Sequence, residues 1–177
     1  MHRSQSPIAV RAGLFAVLLG GLTLACAQGD IAGPEQPALE AKATGIAPAF
    51  VKCGPLPGVS ASKLVSPGVW DTLRVGPHKL IFAPGSLRQE TLITAKFDRD
   101  SVRSIQFGPE GLRFRHGHEP TLRMSVHGCG QLTSTMSIVY AKDDLSRVKE
   151  TLSSLVNLGA ERLSAPIKHF SRYAVHY

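Results

Sequence analysis

The chain has 177 residues, 43% hydrophobic and 19% charged, which suits one domain plus an extension and excludes wholesale disorder. Aromatic residues are 6% with one Trp, which excludes an aromatic base-stacking platform. The formal charge is +7, from 20 Lys+Arg against 13 Asp+Glu, and three cysteines are too few for a disulfide-dense scaffold.

Residues 1–25 read as an export signal. Arg3 and Arg11 supply a positive start, and residues 12–25 form an uncharged apolar stretch too short to span a bilayer. It ends in Leu22-Thr23-Leu24-Ala25-Cys26, which resembles a bacterial lipobox with Thr23 where Leu is usual. On that reading Cys26 becomes an acylated N-terminus, and its buried CH₂ groups, about 0.8 kcal/mol each, hold the protein on a membrane. The alternative is ordinary cleavage at Ala25-Cys26-Ala27, which would release a secreted or periplasmic protein. With the signal gone, 18 basic against 13 acidic residues leave +5, so part of the basicity belongs to targeting.

Residues 26–50 are rich in Ala, Gly and Pro and carry few large apolar groups, so they read as a flexible tether. Residues 51–177 read as the folded domain. Export to an oxidising compartment favours a Cys53–Cys129 disulfide, whose loop of about 77 residues is worth roughly 4 kcal/mol in the chain-entropy model. Two buried free thiols are the alternative.

From Cys53 onward, short apolar runs alternate with Gly/Pro punctuation at Ser66-Pro67-Gly68, Gly76-Pro77, Ala83-Pro84-Gly85, Gly108-Pro109-Glu110-Gly111 and His116-Gly117-His118-Glu119-Pro120. This spacing predicts an all-β sandwich or barrel. Pro84-Gly85 suits a type II turn, because Pro fixes φ and Gly accepts φ > 0. In residues 91–97, Ile93, Ala95 and Phe97 face inward and Lys96 outward. Leu112 and Phe114 share one face and Arg113 and Arg115 the other, while Leu122, Met124 and Val126 oppose Arg123. These two runs are expected to pair as a hairpin, with Arg113, Arg115 and Arg123 on one solvent face as a basic patch for phosphate or carboxylate groups. Residues 170–177 form a final strand. Against the β pattern, Leu145, Val148, Leu152, Leu155 and Val156 fall at helical spacing, with Asp144 as a cap and Gly159 as a stop. Residues 144–158 therefore read equally as an amphipathic helix or as strands.

His116 and His118 lie two apart and His127 follows on the next run, a spacing that offers a metal site with Glu119; the alternative is a solvated His turn. Asp98, Asp100, Asp143 and Asp144 cluster only in pairs, without an EF-hand pattern. The P-loop, Gly-x-Ser-x-Gly and His-Glu-x-x-His patterns are absent. No cofactor is implied, and nucleic acid is a poor match for an exported chain without interleaved aromatics.

Leu80-Ile81-Phe82-Ala83-Pro84-Gly85-Ser86-Leu87 with Thr91-Leu92-Ile93-Thr94, then Gln106-Phe107-Gly108-Pro109-Glu110-Gly111-Leu112-Arg113-Phe114 with Pro120-Thr121-Leu122-Arg123-Met124-Ser125, together resemble the ZU5 domain of exported bacterial proteins. The closing His169-Phe170-Ser171-Arg172-Tyr173-Ala174-Val175 is similar to that domain's last strand. The resemblance covers about residues 63–177. It departs from the family at Pro67-Gly68-Val69, where a Gly-Gly pair is usual, and at the basic turn of residues 116–118. It implies a β-sandwich that works as an interaction or structural module rather than a metabolic enzyme, with an envelope protein or anionic glycan as partner. It also implies strands over residues 136–152 with a turn at Lys142-Asp143-Asp144. Some animal ZU5-bearing proteins cleave themselves within His-Phe-Ser. The resemblance therefore carries a second expectation, with Ser171 as nucleophile, His169 as base and Phe170 supplying the attacked carbonyl.

Overall fold

The computed structural model describes residues 48–177, so the signal, Cys26 and nearly all of the tether lie outside the described residues. Period-2 patterning shapes the described chain. In β4 (Thr91–Phe97), Ile93, Ala95 and Phe97 are buried and Leu92, Thr94 and Lys96 are exposed. In β6 (Thr121–Ser125), Leu122 and Met124 are fully buried. Each large aliphatic or aromatic side chain removed from water this way contributes about 2 kcal/mol.

The other strands are β1 (Val59–Val65), β2 (Asp71–Val75), β3 (His78–Phe82), β5 (Ser104–Gly108), β7 (Ser137–Ala141), β8 (Val148–Thr151), β9 (Leu155–Asn157), β10 (Arg162–Pro166) and β11 (Arg172–His176). They form two antiparallel sheets, ordered β1-β4-β5-β11-β7-β8 and β2-β3-β6-β10-β9, so the fold is the expected all-β sandwich. One apolar core lies between the sheets, built by Ile93, Phe97, Ile105 and Tyr173 from one and Leu80, Phe82, Leu122 and Leu163 from the other. The C-terminal strand sits centrally, between β5 and β7. At the far end of β11, Phe50 bridges His176 and the Tyr177 N–H donates to the Ala49 carbonyl at 3.1 Å, so the ordered ladder reaches back to Ala49 and Phe50.

Cys53 and Cys129 are paired at an S–S distance of 2.00 Å, 76 residues apart. Their backbones also form an antiparallel bridge, which ties the incoming chain to the loop after β6. Arg103 lies beside them, 2% exposed. Its Nη2 donates to the His127 carbonyl at 3.0 Å, and its guanidinium stands 5.8 Å from the centre of the Phe97 ring.

The strands implied for residues 136–152 form, in place of the helical alternative, and one expected pairing needs correction. Residues 144–158 contain no helix. Asp144 does accept a backbone N–H, from Ser146 at 2.9 Å, but as the first residue of a tight Asx turn rather than a helix cap. Leu145 follows with φ 57°, a left-handed conformation that a helix cannot continue. β7 and β8 pair across this turn as antiparallel strands. The correction concerns residues 112–115, which do not pair with β6. β3 and β10 occupy both sides of β6, so no edge is left for them. Arg113 instead makes a single bridge to His169, while Leu112 and Phe114 still lean on the core.

Candidate functional site around Ser171

Residues 167–171 carry the chain from β10 in one sheet to β11 in the other, and this crossing holds His169, Phe170 and Ser171. Phe170 is buried because its ring stacks on Phe107, centroids 5.5 Å apart, and meets Phe114 edge-on at 5.0 Å. Backbone bonds pin both sides of the Phe170–Ser171 peptide. The Phe170 N–H donates to the Leu112 carbonyl at 2.8 Å, and the Phe107 N–H donates to the Ser171 carbonyl at 3.1 Å. The Phe170 carbonyl itself accepts the Gly111 N–H at 3.1 Å, and Gly111 takes φ 75°, a conformation natural to glycine.

Tyr140 on β7 stands over this crossing. Lys149 on β8 donates to its hydroxyl at 2.9 Å, and this bond, with Ser171 close by, lowers the Tyr140 pKa from the usual phenol value. The Lys149 pKa is correspondingly raised by this bond. The His169 ring meets Tyr140 edge-on at 4.7 Å, and the Tyr173 hydroxyl donates to the His169 carbonyl at 2.6 Å. Tyr140 and His169 both line the cleft that Ser171 borders, about 210 Å³ in volume, with Glu110 and Arg113, and Ser171 itself is only 6% exposed.

The structure separates the expected arginine patch. Arg113 borders that cleft, whereas Arg115 borders a groove with Pro67, Gly85 and Arg88. Arg123 lies on β6 in register with Lys79 of β3. The stripe fails because it depended on the hairpin that does not form. The histidines are also apart. His116 Nδ1 lies 3.2 Å from Glu119, and His118 Nδ1 lies 3.0 Å from the Pro84 carbonyl. His127 follows the opposite end of β6 and bonds Glu161. Among the described residues no three His, Cys, Asp or Glu side chains gather as metal ligands.

Several notable groups escaped the sequence reading. His78 is fully buried, and its Nδ1 accepts the Ser125 N–H at 3.1 Å. Burial, with Arg103 nearby, lowers its pKa to about 4. The alternation in His78-Lys79-Leu80-Ile81-Phe82, with Leu80 and Phe82 inward, is the signal that places it there. No comparable pattern marks Arg103. Ser60 and Lys63 have the Ser-x-x-Lys spacing of some acyl-transfer enzymes, yet three residues apart on β1 they face opposite ways, and Lys63 pairs with Asp71.

The outer face of β1, β4 and β5 carries an open groove of about 430 Å³ lined by Ser60, Ser62, Thr94, Lys96, Gln106 and Glu110 among others. β1 is the edge strand there. Comparison with family models, curated proteins and solved structures finds no match for this chain.

Proposed function

We propose that the chain is a non-enzymatic β-sandwich interaction module of the bacterial cell envelope, held on a membrane by a lipid at Cys26. The observation that carries this reading is the free edge of β1. Seven residues in unbroken register with β4 leave one row of backbone donors and acceptors without a neighbouring strand among the described residues. Such an edge accepts an extended segment of another protein, with main-chain bonds for affinity and the adjoining groove for side-chain selection. Ser60 and Ser62 are exposed, so small side chains leave the approach open. The ZU5 resemblance and the lipobox support an envelope setting. The test is photo-crosslinking in native membranes from a probe at Thr94, the β4 residue opposite Ser62. The expected result is one dominant envelope-protein adduct that disappears in a Ser60→Lys/Ser62→Lys variant. An adduct pattern indifferent to those lysines would contradict strand addition.

A second reading is self-cleavage, favoured by the Gly111 N–H on the Phe170 carbonyl and by Tyr140 lining one cleft with Ser171. Ser171 Oγ would attack the Phe170 carbonyl carbon and pass its proton through Tyr140 to the departing Ser171 nitrogen, leaving an ester. Water would then hydrolyse the ester to a Phe170 carboxylate and a chain starting at Ser171. Mass spectrometry of denatured protein decides this reading. It requires a separate peptide of residues 171–177, abolished by Ser171→Ala, and an undivided chain removes it.

A further inference from the structure

Four of the seven large apolar side chains exposed among the described residues, Leu64, Val69, Trp70 and Leu92, lie at one end of β1 and β4, while Leu155, Leu158 and Tyr177 lie elsewhere. Leu64 of β1 and Leu92 of β4 are direct cross-strand partners, 54% and 57% exposed. Residues 66–70 leave that same end of β1, and Val69 and Trp70 in them are 55% and 71% exposed. This loop is held in place: the Gly85 N–H donates to the Pro67 carbonyl at 2.7 Å, and Ser66 Oγ donates to Glu90 at 2.8 Å. Its neighbours supply cations. Exposed Arg88 and Arg115 border one groove of about 610 Å³ with Pro67 and Gly68, the two residues before Val69. Of the acids close by, Asp71 is paired with Lys63 and Glu90 is bonded to Ser66.

From this arrangement we infer that the loop of residues 66–70 is a second membrane contact, in which Trp70 and Val69 enter the headgroup region of an anionic bilayer and Arg88 and Arg115 bind its phosphates. The inference rests on the envelope reading for its biological setting. A tryptophan with aliphatic neighbours and flanking arginines matches the chemistry of a lipid–water interface: the indole prefers the headgroup level and guanidinium groups pair with lipid phosphate. The charge fits as well, since the chain from Cys26 onward carries +5.

Chain geometry permits it. The first described residues pair at the His176 end of β11, whereas β1 delivers Val65 and the 66–70 loop to the other end, as the register through β4 and β5 to β11 shows. The residues between Cys26 and Pro48 can span at most on the order of 75 Å, against roughly 25 Å for the seven-residue β1. A chain anchored at Cys26 can therefore lay the opposite end of its domain on the same membrane.

Trp70 is the chain's single tryptophan, so its fluorescence reports this contact alone. The experiment takes the chain from residue 26 to 177 with Cys26→Ser, which removes acylation from the measurement. It is titrated with vesicles of phosphatidylcholine alone or mixed with phosphatidylglycerol. The expected result is a blue shift of Trp70 emission and quenching by nitroxide-labelled lipid on the anionic vesicles. Arg88→Ser/Arg115→Ser is expected to bind them about 30-fold more weakly, and Trp70→Ser to lose sedimentation with them. Emission unchanged at saturating anionic lipid, equal binding to neutral vesicles, or full sedimentation of Trp70→Ser would each overturn the inference. Failure of acylation at Cys26 would show separately, in the mass of the native protein, and would leave this result standing.

Discussion

His78 holds the clearest residue-scale consequence. A fully buried imidazole whose Nδ1 accepts a backbone N–H must stay neutral, and its pKa of about 4 lies below the ordinary 6.5. The unfolded chain takes up a proton between those values and the folded chain does not. Stability is therefore complete above pH 6.5 and declines as pH falls towards 4, by about 2 kcal/mol at pH 5. Denaturant titrations from pH 7.5 to 4.5 check the slope, which is expected to flatten in His78→Gln. The burial of His78 was legible in the phase of its strand. The meeting of Tyr140 with His169 beside Ser171 was not, because the two residues come from β7 and the β10–β11 crossing and only the sheet order brings them together.

At the scale of elements, alternation was readable wherever a strand has one wet face, as in β4. It failed where the chain changes sheets. Residues 112–115 keep their inside and outside faces yet find a different partner, since sidedness is a local property and pairing is not. Residues 144–158 read both ways because Asp144 bonds an N–H two residues on in both an Asx turn and a helix cap, and because the apolar spacing there combines two strands. Two substitutions separate these descriptions. Leu152 is buried and Leu155 is 79% exposed, so Leu152→Ala is expected to cost 2–3 kcal/mol, roughly the loss for a core leucine, whereas Leu155→Lys stays within about 0.5 kcal/mol. A helical face burying both would make them comparable in chemical denaturation. The Pro84-Gly85 turn, expected from its residues, has Gly85 at φ 85° with His118 Nδ1 only 2.9 Å from where a Cβ would stand. Gly85→Ala is therefore expected to lower stability by about 1–3 kcal/mol in the same assay, from the strained φ and the displaced imidazole.

Across the whole molecule, the two sheets share one core, and the Cys53–Cys129 link fastens the incoming chain to it. Replacing both cysteines by serine removes a constraint on the unfolded chain worth about 4 kcal/mol, to be read as a lower thermal midpoint under oxidising conditions and no change under reducing ones. Composition and turn spacing announced the sandwich because short apolar runs between regular Gly/Pro punctuation bury their side chains most readily as paired strands. The exposed end around Trp70 gave no periodic signal, since a loop lacks a repeat and its role depends on what lies outside it. The central claim is that this domain works outside the cytosol on a lipid tether. Intact-mass analysis of protein purified from membranes, denatured without reductant, tests it most directly. The account expects one polypeptide of residues 26–177 with fatty acyl groups on Cys26 and the mass deficit of a single disulfide. A species that retains Met1, with Cys53 and Cys129 both open to alkylation, would contradict it.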